Sequence, residues 1–140
     1  MSNKGFKIVL VILAIIALAG VTGVLYLLLS NDSSDPNRTL TIQEQVEYSY
    51  TTEEINLDLE DHRYVQLKFN ILTNNSDAKE EVELREFQFK NILIKETVHM
   101  TSEQLQTNLT QFEETLKTEM NKLMEEGEIT DIYIVGKIVQ

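Results

Sequence analysis

The strongest constraint on this chain is an uninterrupted hydrophobic run near its start, residues 8–29. The run has no charged residue and no proline, and its only polar groups are the hydroxyls of Thr22 and Tyr26. A helix of this length spans about 33 Å, enough to cross the ~30 Å hydrocarbon core of a bilayer. Lipid offers no partner for free backbone N–H and C=O groups, so a helix is required there. The run predicts a transmembrane helix over residues 8–29.

The charges that flank this helix predict its orientation. Lys4 and Lys7 precede it, whereas Asp32 and Asp35 come after it. By the positive-inside rule, residues 1–7 form a cytoplasmic N-terminus and the rest of the chain lies outside the cell membrane. The small residues around Leu18 also fit a signal-peptidase site, but the run exceeds the ~7–15 apolar residues of a signal peptide. We therefore expect a retained, single-pass anchor.

Composition limits the nature of the chain beyond the anchor. Residues 30–38 are small and polar and hold the only proline, which predicts a flexible linker. Residues 39–140 suit one small domain. Beyond Ser30 the chain has 23 acidic and 10 basic residues, a net charge of −13, and such a surface repels nucleic acid. The absence of cysteine excludes disulfides and a lipoprotein anchor and favours a bacterial source.

Two alternating patterns predict strands early in this domain. Residues 39–50 fit either a short amphipathic helix or a strand, and the pattern leaves both open. After them, apolar residues recur at every second position in two runs separated by a polar turn, which predicts a β-hairpin. The closing residues 129–140 are β-branched and predict a buried strand, in which Gly136 marks a bulge or a close approach. The alternating residues are Ile55, Leu57 and Leu59, then Val65, Leu67, Phe69 and Ile71.

The segment between the hairpin and the last strand is predicted to be mainly helical. Residues 82–94 contain both periodicities, but the length and the frequent Lys and Glu favour helix. Asp77 with Glu80 resembles a capping box. The fold class predicted is therefore α+β: two N-terminal strands, two to three helices and a C-terminal strand.

The last predicted helix has the clearest signals. Thr101 with Gln104 matches a capping box. We expect Glu113 to pair with Lys117 on the solvent face and Gly127 to end the helix. One apolar stripe should face the core, and it consists of Leu109, Phe112, Leu116, Met120 and Leu123.

No residue pattern points to catalysis. His62 and His99 are the only histidines and lie far apart in sequence, and Ser102 has no evident base. The glutamate clusters at residues 80–83 and 125–128 are typical of solvated faces. No glycine-rich phosphate loop occurs. We therefore predict that the chain is not an enzyme and has no catalytic, cofactor-binding or metal-binding residues and no cofactor.

Several short motifs resemble the FliL family of flagellar basal body-associated proteins. The resemblance covers essentially the whole chain in order and spacing. Where the family tends to have Pro-Arg-Asp, this chain has Phe89, Lys90 and Asn91, and Asn108 stands where the family tends to have glycine. The matching residues are Ile55 to Leu57, Arg63 to Val65, Asn121, residues 132–135, Val139 and Gln140.

This resemblance implies a function that the residues alone do not reveal. It implies an outside domain similar to the stomatin/prohibitin (SPFH) fold that assembles into a homo-oligomeric ring. It further implies partners in the flagellar basal body, namely stator subunits of the MotA/MotB type, and a scaffolding role in motility. An anchored sensor or ligand-binding domain unrelated to motility is the alternative.

Overall fold

The anchor helix and the domain after it form two separate units. The structure is a computed structural model that describes residues 3–30 and 39–140, with the side chains of residues 27–30 and Asn3 left out. Helix α1 spans Asn3–Ser30, and Lys4–Tyr26 is long and apolar enough to cross a membrane. The hydroxyl of Thr22 donates to the carbonyl of Leu18, so it is satisfied within the helix. The predicted linker, apart from Ser30, lies outside the described residues.

The second unit, Thr39–Gln140, is an α+β domain, which confirms the predicted fold class. Its helices pack on one face of an antiparallel sheet, as the hydrophobic alternation requires. In chain order the elements are α2 (Ile42–Glu47), β1 (Ser49–Thr51), β2 (Ile55–Asp58), β3 (Tyr64–Thr73), α3 (Ser76–Leu84), α4 (Glu86–Thr97), α5 (Ser102–Thr107), α6 (Leu109–Asn121) and β4 (Ile129–Val139).

Both alternatives left open for residues 39–50 occur, one after the other. Thr41 and Glu44 form a capping box, which gives α2 a start that the periodicity did not reveal. Strand β1 then begins at Ser49 and pairs with the end of β3. The domain therefore has one strand and one short helix more than the hairpin pattern indicated.

Strand β3 is the centre of the four-stranded sheet. It pairs with β4 along one edge and with β2 and β1 in turn along the other, and every pairing is antiparallel. The register sets Leu57 opposite Val65, which confirms the predicted β2–β3 hairpin.

The core lies between this sheet and helices α4 and α6. The inward residues of β3 are fully buried, and the ring of Phe69 meets that of Phe89 edge to face with 5.2 Å between centroids. Besides these aromatic rings, the largest fully buried side chains include Leu67, Ile71, Leu93, Leu105, Leu116 and Met120.

The ambiguous middle segment is helical, as expected, but it is divided into α3 and α4 at Arg85. The predicted capping box of Asp77 and Glu80 is wrong. Asn75 is the N-cap, and its Oδ1 accepts a hydrogen bond of 2.8 Å from the N–H of Ala78. The helix begins two residues earlier because an Asn side chain caps as well as Asp does.

The last helix also begins at its predicted cap and is divided once. The capping box of Thr101 and Gln104 is confirmed, and Asn108 separates α5 from α6. The central residues of the predicted stripe, Phe112, Leu116 and Met120, are buried. The helix ends at Asn121, six residues before Gly127, so the predicted glycine stop is wrong.

Gly127 lies in the turn that precedes β4. Its φ is +153°, and a Cβ placed there would lie 2.5 Å from Oδ1 of Asn74. Only glycine fits so close an approach.

The expected pairing of Glu113 with Lys117 is also wrong, because the Lys117 ammonium lies 2.9 Å from Glu114.

Strand β4 differs from the sequence prediction in its exposure. The bulge is confirmed: Lys68 pairs with Gly136 and Phe69 with Ile134, so Val135 is the extra residue. The close approach is also present, since a Cβ on Gly136 would lie 3.1 Å from that of Lys68. Within β4, however, the buried residues are Ile129 and Ile132 alone, because the strand lies at the sheet edge with one face uncovered.

The buried stripe of α6 gives a stability prediction. In the 39–140 fragment, Leu116→Ala should lower the free energy of unfolding by ~2–5 kcal/mol, because it removes buried apolar area and leaves a cavity. Gln111→Ala, on the exposed face of the same helix, should change it by less than ~0.5 kcal/mol. Urea unfolding measures both. Equal effects would mean that α6 does not pack through this stripe.

Candidate interaction surfaces

His62 and His99 lie in two loops, and Ser102, the first residue of α5, follows the second loop and is hydrogen-bonded to the first. The N–H and Oγ of Ser102 donate to Oδ2 of Asp61 at 3.0 and 2.6 Å, and these bonds hold the pKa of Asp61 below its usual value. The N–H of Glu60 donates to the carbonyl of Met100. His62 has a φ of +62°, and its N–H closes the turn on Leu59. These residues shape loops, and among the described residues no three metal-ligating side chains gather in one place.

One member of the glutamate clusters is buried rather than solvated. Glu81 is 8% exposed, although Glu80 and Glu83 beside it are exposed. Its carboxylate accepts from the N–H groups of Glu125 (3.0 Å) and Glu126 (2.8 Å) and from Nε of Arg85 (2.7 Å). The expectation of two solvated clusters is therefore wrong at Glu81, which ties α3 to the turn before β4.

The pKa of Glu81 reflects these opposing influences. Burial raises the pKa, but the two N–H groups and the Arg85 guanidinium stabilise the charged form and bring the pKa below its ordinary value. A group with a lowered pKa in the folded state contributes stability above its unfolded pKa. That contribution is lost as the pH falls through the folded value.

Glu81→Gln should therefore lower the free energy of unfolding by ~1–3 kcal/mol at pH 7, since it weakens charge-assisted hydrogen bonds. The difference from the unchanged chain should shrink as the pH falls below the ordinary value of 4.5. Urea unfolding at pH 7 and pH 3 measures it. Glu80→Gln, at an exposed neighbour, serves as the control. A difference equal at both pH values would contradict the charged role of Glu81.

Asn121 fixes the point at which β4 begins. Its Nδ2 donates to the carbonyl of Ile129 at 2.9 Å, and its Oδ1 accepts from the N–H of the same residue at 2.7 Å. A side-chain amide can serve both backbone groups of one residue, which a carboxylate cannot do. In the sequence Asn121 is only a point of resemblance, and the structure gives it this positioning role.

Among the described strands, β4 pairs with β3 alone, so its other edge carries no strand. The N–H of Ile134 is occupied, because it donates to Oε1 of Glu113 at 2.8 Å. Beyond it, Val135 and Ile138 are exposed, as is Tyr133 before it. An exposed edge strand offers backbone groups to another chain, while the bulge and Lys137 weaken indiscriminate pairing. This edge is the first candidate interaction surface.

A second surface lies on the helical side of the domain. The outward face of α4 exposes Phe87 and Ile94, and the C-cap residue Val98 directly after the helix is exposed as well. Phe87 also lines a groove of about 500 Å³ between α4 and α6, together with Asn91, Ile92, Leu123 and two lysines. Exposed apolar side chains gathered on one element are typical of a contact surface.

Some of the residues that carry the family resemblance lie at the end of the sheet where β2 meets β3, whereas Asn121 and residues 132–135 lie toward the other end. Ile55, Leu57 and Val65 are buried where β2 meets β3. The last residue, Gln140, exchanges two backbone hydrogen bonds with Tyr64, at 2.9 and 3.1 Å. The C-terminus therefore completes the sheet beside the β2–β3 turn.

Comparison with known proteins agrees with this architecture. The family model described as flagellar basal body-associated protein FliL matches residues 48–140, from just before β1 to the last residue. The flagellar protein FliL of Bacillus subtilis (strain 168) is 28% identical over 113 residues, which cover 79% of this chain and 81% of that protein. The family match covers the whole sheet and all the helices of the domain except α2, and the chain therefore belongs to the FliL family of flagellar basal body-associated proteins.

Proposed function

We propose that this protein is a non-catalytic accessory of the flagellar motor that surrounds its stator units and modulates their work. Its partners are stator subunits of the MotA/MotB type and further copies of itself in a ring. The observation that carries the proposal is the family match over 48–140, joined to an apolar helix able to anchor the domain in the membrane.

The location is proposed from the same helix. Helix α1 spans the cell membrane once, with residues 1–7 in the cytoplasm and the domain outside. Lys4 and Lys7 at the start of this helix support this orientation. Stator units also sit in this membrane, so a domain held just outside it reaches only the outside part of a stator.

Tethering has an energetic consequence for assembly. Anchored copies are confined to the plane of the membrane, which raises their effective concentration. Weak lateral contacts are then enough for assembly. The charge of −13 beyond Ser30 opposes such contacts, but at physiological salt this repulsion is screened beyond ~8 Å. Anchored copies can therefore pair through their β4 edges, whereas the same copies would separate in free solution.

An anchored ligand-binding domain is the second candidate, and the groove between α4 and α6 favours it. Its volume of about 500 Å³ falls within the range of small-molecule pockets. Two cations, Lys95 and Lys122, line it, but Lys122 already pairs with Glu119 at 2.5 Å. The family match favours the motor function over this one.

Deletion of the protein should reduce swimming or swarming while filaments are still built. The full-length chain and Ile16→Leu should restore motility, because both keep the anchor apolar. Ile16→Arg should not, since an arginine at the centre of the span opposes insertion by ~2.5–3.5 kcal/mol. Swim-plate expansion and filament staining measure these outcomes.

The proposal fails if the deletion strain swims normally under load and no stator subunit is recovered by crosslinking to the full-length chain. That pair of results would favour the ligand-binding alternative. Restoration of motility by Ile16→Arg, with the variant found outside the membrane, would contradict the need for the anchor.

A further inference from the structure

The outward face of α4 carries side chains at heptad spacing. Phe87, Asn91 and Ile94 of α4 and the C-cap residue Val98, which directly follows the helix, succeed one another in steps of four, three and four residues. These are the steps between alternating d and a positions. The three apolar members are 70%, 55% and 48% exposed, and Asn91 is exposed as well. We call these four residues the α4 seam.

The seam is separate from the core. The buried residues of α4 are Phe89, Leu93 and Thr97, which face the sheet and lie on the other side of the helix. Heptad spacing of exposed apolar residues is what a second helix requires for knobs-into-holes packing, whereas a helix that only covers its own core needs one apolar face.

Charge makes α4 the helix through which two copies can approach most easily. It contains two glutamates and two lysines, so its net charge is zero, whereas the other helices of the domain carry −1 to −3. Two of its four charges are also paired with each other, since Lys90 lies 2.7 Å from Glu86, and the Tyr50 hydroxyl donates to Glu86 at 3.0 Å. A contact through α4 therefore brings together the least repulsive parts of two acidic domains.

Asn91 points to a second copy as the occupant. A side-chain amide both donates and accepts, so two Asn91 side chains that face each other satisfy one another. A polar residue at a single a position fixes register at some loss of stability. A second copy supplies the matching amide by symmetry, whereas a helix of unrelated sequence would have to supply one independently.

We propose that the α4 seam pairs with the same seam of a second copy of this chain, in a two-fold contact centred on Asn91. Such a contact closes after two copies and is therefore distinct from the head-to-tail contacts of a ring. It stands apart from the proposed function and leaves the β4 edge free.

The size of the seam limits the strength of the pair. Its exposed apolar surface is on the order of 400 Å² per copy, about half of what each partner buries in a stable interface. We therefore expect the pair to form between tethered copies in the membrane rather than in dilute solution.

The chain contains no cysteine, so one introduced cysteine reports a single position. In the full-length chain in its own membrane, a thiol oxidant should convert Asn91→Cys to a disulfide-linked dimer. Gln111→Cys, on the exposed face of α6, should give about tenfold less dimer, which corresponds to ~1.4 kcal/mol. Adding Ile94→Lys to Asn91→Cys should reduce the dimer by a similar factor, and adding Ile94→Leu should not.

Three results would overturn the seam contact. The first is a dimer yield no higher for Asn91→Cys than for Gln111→Cys, and the second is a yield unaffected by Ile94→Lys. The third is a linkage of Asn91→Cys to a different protein, or its protection from a water-soluble maleimide without any dimer. If the dimer is absent but motility is retained, the seam contact is refuted and the proposed motor function is not.

Discussion

The domain depends on the antiparallel pairing of β3 with β4. These two strands are paired from Val65 with Val139 to Thr73 with Ile129, although they are separated in sequence by the helices. Pairing of strands so far apart in sequence carries an entropic cost of loop closure, so other contacts must help to stabilise it. Asn121 holds the first residue of β4, Glu113 occupies the edge at Ile134, and the terminal residue pairs with Tyr64. The buried carboxylate of Glu81 accepts a hydrogen bond from the turn that leads into β4.

This arrangement explains why one face of the sheet is buried in the core while the outer edge of β4 can contact other chains. The inward face of the sheet is covered by α4 and α6, whereas β4 has an outer edge with exposed apolar residues. Helix α4 likewise buries one side and exposes the other. The domain therefore has a buried core and two separate exposed surfaces, which suits the proposed assembly with other proteins.

The sequence predicted those features that depend on local periodicity. Alternation identified the β2–β3 hairpin, the Thr101 cap marked the start of α5, and the stripe around Leu116 identified the buried face of α6. Features that depend on contacts between distant segments were missed. Glu81 looked like any surface glutamate because the two N–H groups that it accepts from lie 44 and 45 residues away. The exposure of β4 was missed because an apolar, β-branched segment has the pattern of a buried strand whether or not a layer covers it.

The proposed function requires that α1 hold this domain outside the cell membrane. Because the chain lacks cysteine, a membrane-impermeant maleimide applied to intact cells can test one position at a time. Thr118→Cys, on an exposed position of α6, should be labelled in intact cells, and Ser2→Cys should be labelled only after the cells are broken. Labelling of Ser2→Cys in intact cells, with Thr118→Cys protected until lysis, would contradict this topology and with it the proposed contact with the outside part of the stators.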